Sequence, residues 1–380
     1  MGCCPRLGDR FQMVHIVRRL WVSSFVVAVV LLSASSVAAQ GVELQDWQND
    51  ELVPLADTIA NYLRGRGEVT PTSEGVALRP MYFKGVSGQV YVPFTLSLDA
   101  SLIAESAMVM YLFIVDPGVE IEQVQEEQLA LSSAPSAAVL GAQPEIDPTE
   151  EPPPSVFENG FFSEVTLNDT GQIEFSRAFQ APGGVYDLYL AVRGSSGGDT
   201  DYDLSASPIT LLTTRVTVPD QWDGQLTSST MFITADDAIQ TLNSVPDAED
   251  LRRNPFTFGN TRIAPRFDPT FGTNERMAVI FFVYNPGSED GRTPNVSVGL
   301  SFYTKNAEGE EFFNNINPLE FNAETLDDGF DLTLGNQIVV DTSVPLRSFP
   351  PATYRLEIKV TDNVSSIEQV YNSDFTVESR

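Results

Sequence analysis

The sequence predicts an all-β protein, and three observations carry that prediction. From about residue 81 onward the apolar residues recur with a period of two rather than the helical 3.6. Gly, Pro, Asp and Asn punctuate the chain at short intervals, bounding runs rich in Val, Thr, Tyr, Leu and Phe. One pattern also occurs twice, as Ala181-Pro-Gly-Gly-Val-Tyr186-Asp-Leu188-Tyr-Leu190-Ala-Val192 and as Phe349-Pro-Pro-Ala-Thr-Tyr354-Arg-Leu356-Glu-Ile358-Lys-Val360. In both copies a Pro-containing turn feeds a strand whose Tyr, Leu, Leu/Ile and Val alternate with other residues. Alternation places those four side chains on one face. Each block also opens on a strongly apolar strand and ends on a Thr/Val-rich one. Two tandem immunoglobulin-like β-sandwiches are the simplest account.

Taken in order, residues 1–39 read as a signal peptide. Arg18 and Arg19 precede an apolar run over 20–32, and Val37 and Ala39 occupy the −3 and −1 positions of a cleavage site. That run is shorter than the about 20 residues a membrane span needs. Residues 40–80 form an N-terminal helical segment. Leu52, Leu55, Ile59 and Leu63 recur at helical spacing, Pro54 suits a first turn, and Gly65 and Gly67 close it. A single helix of this kind packs on a neighbouring sheet.

The first sandwich is expected over 81–218, with strands near 89–98, 107–115, 171–179, 185–192 and 210–218. It is interrupted by an acidic, Pro-rich insertion over 119–155, whose Glu150-Glu-Pro-Pro-Pro154 run and lack of any Lys or Arg leave little to bury. A connector over 219–255 follows. Thr234 and Asp237 have capping-box spacing there, which predicts a short helix over 238–242. The second sandwich spans 256–380, with strands near 277–284, 296–303, 337–341, 353–361 and 375–377. Phe256, Phe258, Phe267 and Phe271 lie in a Pro/Gly-rich stretch and are expected to tuck between the two sandwiches.

Composition narrows the chemistry. Both cysteines (Cys3, Cys4) and the only histidine (His15) lie within the signal segment. An exported chain therefore has no disulfide, no Ser-His-Asp or Cys-His centre, and none of the usual zinc ligands. No phosphate-binding Gly-rich motif occurs. Removing residues 1–39 takes away four arginines and one aspartate, so the formal charge moves from −30 to 18 − 51 = −33. That acidity opposes binding to nucleic acid or to anionic lipid.

Three further features bear on function. The run Val216-Thr-Val218-Pro-Asp220, the stretch 228–234, the Phe267-Asp-Pro269 turn and the terminal Pro-x-x-Tyr-x-Leu-x-Ile-x-Val-x-Asp together resemble the tandem β-sandwich region of large bacterial exported proteins, some joined to von Willebrand A-like or GWxTD-type domains. The Gly-Trp-x-Thr-Asp motif and the A domain are absent. The resemblance implies an envelope-associated, non-catalytic protein. Asp199, Asp201 and Asp203 place carboxylates at alternate positions, as a calcium-binding loop does, although Leu204 stands where an EF-hand requires Gly. The alternative for these three is a solvated acidic turn, and Asp327, Asp328 and Asp331 pose the same choice.

The expected function is an exported binding or scaffolding protein of the bacterial envelope, periplasmic or extracellular, with no cofactor beyond that candidate calcium. Its partner would be an envelope protein or a glycan, met through the sandwich loops. Two other readings stay open. One is a carbohydrate-binding module or carboxylate-based glycosidase, with Trp222 or Tyr202 on an aromatic face. The other is a calcium-stabilised structural protein.

Overall fold

The structure, a computed structural model, describes residues 45–117 and 157–379 apart from 64, 66, 68, 73, 74, 169, 200 and 204–206. The expected signal peptide and the acidic insertion 119–155 lie outside the described residues. What is described is an all-β fold of two sandwiches with two short α-helices.

In the first sandwich, β1 (Val76–Pro80) and β2 (Phe83–Lys84) share one side of β3 (Val90–Asp99), and β6 (Gln172–Ala181) takes the other. The facing sheet runs β5-β4-β7-β8, from β5 (Phe157–Glu164) through β4 (Ala107–Val115) and β7 (Gly184–Gly194) to β8 (Thr210–Val218). The second sandwich repeats this plan. There β9 (Thr227–Ser228) and β10 (Phe232–Ala235) share one side of β15 (Arg276–Tyr284), and β19 (Ile338–Pro345) takes the other. Its facing sheet is built on β16 (Val296–Asn306), β20 (Ala352–Asp362) and β21 (Ile367–Glu378). On β16 lie β17 (Gly309–Asn315) and β18 (Leu319–Phe321), and β14 (Thr270–Gly272) is added in parallel outside β21.

The repeated pattern marks the same place in both modules. Tyr186, Leu188, Leu190 and Val192 of β7 lie in the first core, and Tyr354, Leu356, Ile358 and Val360 of β20 in the second. Each tyrosine closes its corner identically: Tyr186 donates to the Pro182 carbonyl at 3.0 Å, and Tyr354 to the Pro350 carbonyl at 2.7 Å. This is the tyrosine-corner device of immunoglobulin-like sandwiches.

The two strongly apolar strands are apolar because both of their faces are covered. In β4, Met108, Met110, Leu112 and Ile114 enter the core, while Val109, Tyr111, Phe113 and Val115 meet the helix α1 (Asp46–Leu63) through Leu52, Leu55 and Ile59. Helix and sheet come so close that a Cβ at Gly160 of β5 would lie 2.6 Å from a Leu52 methyl. In β15, Met277, Val279, Phe281 and Val283 enter the second core. Ile280, Phe282 and Tyr284 face outward into the joint between the modules.

That joint is buried and aromatic at its centre. Met81 and Phe83 approach from the first module, and Phe232, Phe282 and Tyr284 from the second, with Phe256 and Phe258 between them. Phe83 stands 4.7 Å from Phe258 and 5.6 Å from Phe232, centroid to centroid. Hydrogen bonds frame it. The Thr230 amide donates to the Tyr82 carbonyl at 3.0 Å, the Tyr284 hydroxyl accepts from the Lys84 amide at 3.1 Å, and the Trp222 indole donates to the Gln89 carbonyl at 2.8 Å. The Lys84 ammonium lies 4.2 Å from the Trp222 ring centroid. Of the four phenylalanines expected between the sandwiches, Phe256 and Phe258 belong to this cluster and Phe267 packs against it, with Arg79 5.2 Å above its ring. Phe271 instead enters the second core.

Three expectations need correction. The helix of the connector is α2 (Ala248–Arg253), capped by Asp247, and not 238–242. Thr234 does not cap a helix: it pairs with Ala278 in the sheet, and its hydroxyl donates to the Ala264 carbonyl. Residues 239–241 form β11 (Ile239–Thr241), which pairs with β13 (Thr261–Ile263) in a small sheet completed by β12 (Thr257–Phe258). The second module also starts before residue 256, because β9 and β10 are strands of its sheet. Finally, Pro54 sits inside α1 rather than in its first turn. The helix begins at Asp46, where the Gln48 side chain accepts from the Gln45 amide at 2.9 Å.

Candidate functional site

A cluster of buried polar groups lies at one end of the first sandwich, where α1 crosses the segment after β7. Glu51 sits on the helix face turned to the sheet and is fully buried. Its Oε1 accepts from the Ser196 amide at 2.9 Å and from the Ser196 hydroxyl at 2.5 Å, so one carboxylate holds the start of the loop. Arg193 donates to the Glu51 carbonyl oxygen at 3.2 Å. Among the described residues, neither Glu51 Oε2 nor Arg193 Nε has a hydrogen-bond partner, although both are buried. Burial lowers the Arg193 guanidinium from its usual pKa, and the nearby Glu51 and Tyr202 oppose that shift.

A second carboxylate stands beside the first group. Glu105, from the loop before β4, accepts from the Tyr202 hydroxyl. Burial pushes the Glu105 carboxyl up, but the bonds from Tyr202, Ser207 and backbone amides outweigh it and leave the pKa below the usual value. The Ser207 hydroxyl accepts from the Gly194 amide at 3.0 Å. A Cβ at residue 194 would overlap the Glu105 carboxylate where it stands, so glycine there lets that side chain lie against β7. Next to this network a shallow cleft of about 230 Å³ is lined by Trp47, Phe162, Ser163, Glu164, Ser195 and Gly197. Trp47 meets Phe162 edge-on with centroids 5.2 Å apart.

The sequence-predicted residues fall on the loop that Glu51 holds. Asp199, Asp201 and Asp203 are all exposed. The Asp199 carboxylate accepts from the Asp201 amide at 3.0 Å, a local turn bond. Among the described residues, no group of three or more His, Cys, Asp or Glu side chains is placed to hold a metal ion. Asp331 is committed elsewhere, to the Arg292 guanidinium and to the Thr333 amide and hydroxyl. Tyr202 takes part in the network, whereas Trp222 lies at the joint. Sequence reasoning missed Glu51 and Arg193. A lone Glu on a polar helical turn looks solvated, and only the tertiary contact buries it.

The described residues define an all-β protein of two sandwich modules that pack on one another through an aromatic cluster. No helix among the described residues is long and apolar enough to cross a membrane. No protein-family profile and no curated protein matches the sequence. Solved structures that share features with it include a red sea bream transglutaminase (7% identity, TM-score 0.19, 84% of this chain and 33% of that one). Another is trypsin-activated alpha-2-macroglobulin from Escherichia coli (13%, 0.22, 81% and 17%). A third is a family 123 glycoside hydrolase from Clostridium perfringens (11%, 0.19, 41% and 28%). The chain thus spans a third or less of each of these proteins. At such TM-scores the likenesses carry no argument about activity.

Proposed function

We propose that this protein is an exported, non-catalytic binding or scaffolding component of a bacterial cell envelope, presenting the loop end of its first module to a protein partner. The observation that carries the reading is the joint: the two modules meet through a buried aromatic cluster framed by hydrogen bonds. A body of that kind holds its loops at a set distance and angle, which suits presentation to a partner. The loop end supports the same reading, since the buried Glu51 holds the start of the loop through Oε1, which accepts twice from Ser196. The sequence's leader-like first residues and cysteine-free remainder support export.

A glycan partner is the second reading, favoured by the cleft that Trp47 and Phe162 line beside acceptors on Ser163 and Glu164. Photo-crosslinkers placed at Asp199 and Tyr202 in cells test both readings. A protein adduct obtained at these positions, and absent when the crosslinker sits at Asp374, supports the first. Capture of polysaccharide by the purified protein, lost in Trp47→Ala, selects the second. Sustained glycoside turnover abolished by Glu105→Gln would overturn the non-catalytic assignment.

A further inference from the structure

The chain has three lysines, and they are not used alike. Lys305 pairs with Asp374 and Lys359 with Glu368, each at 2.6 Å. Lys84 bonds an amide instead: its Nζ donates to Asn285 Oδ1 at 2.8 Å across the joint. The two residues are 201 positions apart. Lys84 closes β2 of the first module, and Asn285 follows the last residue of β15 in the second.

Both partners are held in place. The Trp222 ring centroid lies 4.2 Å from the Lys84 ammonium and that of Tyr284 6.0 Å, so two aromatic rings flank the amine. Asn285 stands at φ 55°, in the left-handed region. Its Nδ2 donates to the Gln221 carbonyl at 3.1 Å and to the Gln225 carbonyl at 2.9 Å. Those two bonds set the amide so that Oδ1 faces the lysine. A carbonyl bond is about 1.23 Å long, so Asn285 Cγ lies at most about 4.0 Å from Nζ. Reacting atoms poised for attack stand about 3–3.5 Å apart.

Two further features favour reaction over a simple hydrogen bond. Burial lowers the Lys84 pKa, and the nearby Asp223 carboxylate opposes that shift. A desolvated lysine supplies the neutral amine that acts as a nucleophile, and a carboxylate beside it can take the proton. Pro286 follows Asn285 in the chain. An asparagine commonly loses its amide when the next backbone N–H attacks Cγ, and proline has no N–H. That competing route is closed at Asn285, which leaves Cγ to Lys84.

We infer that Lys84 and Asn285 condense into an intramolecular isopeptide bond, a covalent tie between the two modules at the rim of their joint. Asp223 takes one proton from the Lys84 ammonium, and the neutral Nζ attacks Asn285 Cγ. The new Nζ–Cγ bond forms as the Cγ–Nδ2 bond breaks. Nδ2 leaves with its own two protons, the one that Nζ sheds and the one held by Asp223. An ammonium ion is released for the lysine ammonium consumed, so atoms and charge balance without oxidant or cofactor. The inference does not depend on what the loop end binds.

Mass spectrometry of the purified full chain tests this directly. The intact mass is expected to fall below that of its residues by one ammonia, about 17 Da. Digestion is expected to give a branched peptide in which Lys84 and Asn285 are joined. Lys84→Arg keeps the charge and cannot form the bond. It is expected to lack both signatures and to melt several degrees lower, since a tie across a long loop constrains the unfolded chain. Asn285→Asp is expected to restore the branched peptide, now with loss of water, and Asp223→Ala to leave most of the chain unjoined. A wild-type chain at its full mass, with Lys84 as open to acylating label as Lys305 and Lys359, would overturn the inference. So would an ammonia deficit that persists in Lys84→Arg, which would come from another residue.

Discussion

At the scale of single residues, carboxylates decide much of the behaviour of this acidic chain, and two positions make the point. Asp362 is buried at the end of β20, where it accepts from the Gly287 amide at 2.8 Å, the Val364 amide at 3.0 Å and the Ser365 hydroxyl at 2.6 Å. Burial alone would raise its pKa, and those bonds outweigh it, so the folded value is lowered. The stabilisation from a depressed carboxyl is complete above the unfolded pKa of about 3.9 and is lost as pH falls through the folded value. Asp362→Asn should therefore reduce stability at neutral pH, with a deficit that shrinks as pH falls below the unfolded value of about 3.9, measured by urea titration across that range. The loop of Asp199, Asp201 and Asp203 gives the opposite expectation. With Asp199 turned onto the Asp201 amide, the thermal midpoint should be the same in chelator and in millimolar calcium. A rise of several degrees that Asp201→Ala abolishes would instead make this loop a calcium site, since a ligand at about 100 times its dissociation constant adds about 2.7 kcal/mol.

Among elements, the matched corners are the clearest. Tyr186 and Tyr354 each bond a proline carbonyl four residues back, so Tyr186→Phe and Tyr354→Phe should each cost about 1–3 kcal/mol in chemical denaturation, because the carbonyl is left without its donor. The corners lie in separate modules, so the double variant should show nearly the sum of the two losses. These strands were legible because β7 and β20 put Tyr, Leu, Leu/Ile and Val on one face. β4 and β15 were legible for a different reason, an unbroken apolar run over two covered faces. β5 was not: Phe157–Glu164 contains Gly160 and no alternation, and only the approach of Leu52 explains that glycine. β9, β10 and β14 are two to four residues long, too short for a period, and their pairing is set by β15 and β21. The helix over 238–242 failed because a capping-box spacing was read where a strand partner claimed Thr234. At the candidate site the loop and Tyr202 could be read from their composition, whereas Glu51 and Arg193 acquire their role only when α1 folds onto β7.

For the whole molecule, the joint is what turns two modules into one body. Phe282 lies on the outward face of β15, 5.5 Å from Phe258 and 6.0 Å from Phe83. Phe282→Ala should cost about 3–5 kcal/mol if the cavity stays open. It should also loosen the angle between modules, seen as a broader distance distribution between spin labels, one on each sandwich. An unchanged distribution would mean that the framing hydrogen bonds alone hold the modules in register.

The same joint has a consequence for the order of events during synthesis. Every strand of the first sandwich has left the ribosome once residue 218 has emerged, yet Met81 and Phe83 wait for Phe232, Phe256 and Phe282 to follow. For the time needed to make those next sixty or so residues, at about 5–20 residues per second, a nascent domain shows an uncovered aromatic face. That interval of several seconds is when this chain has most need of a chaperone.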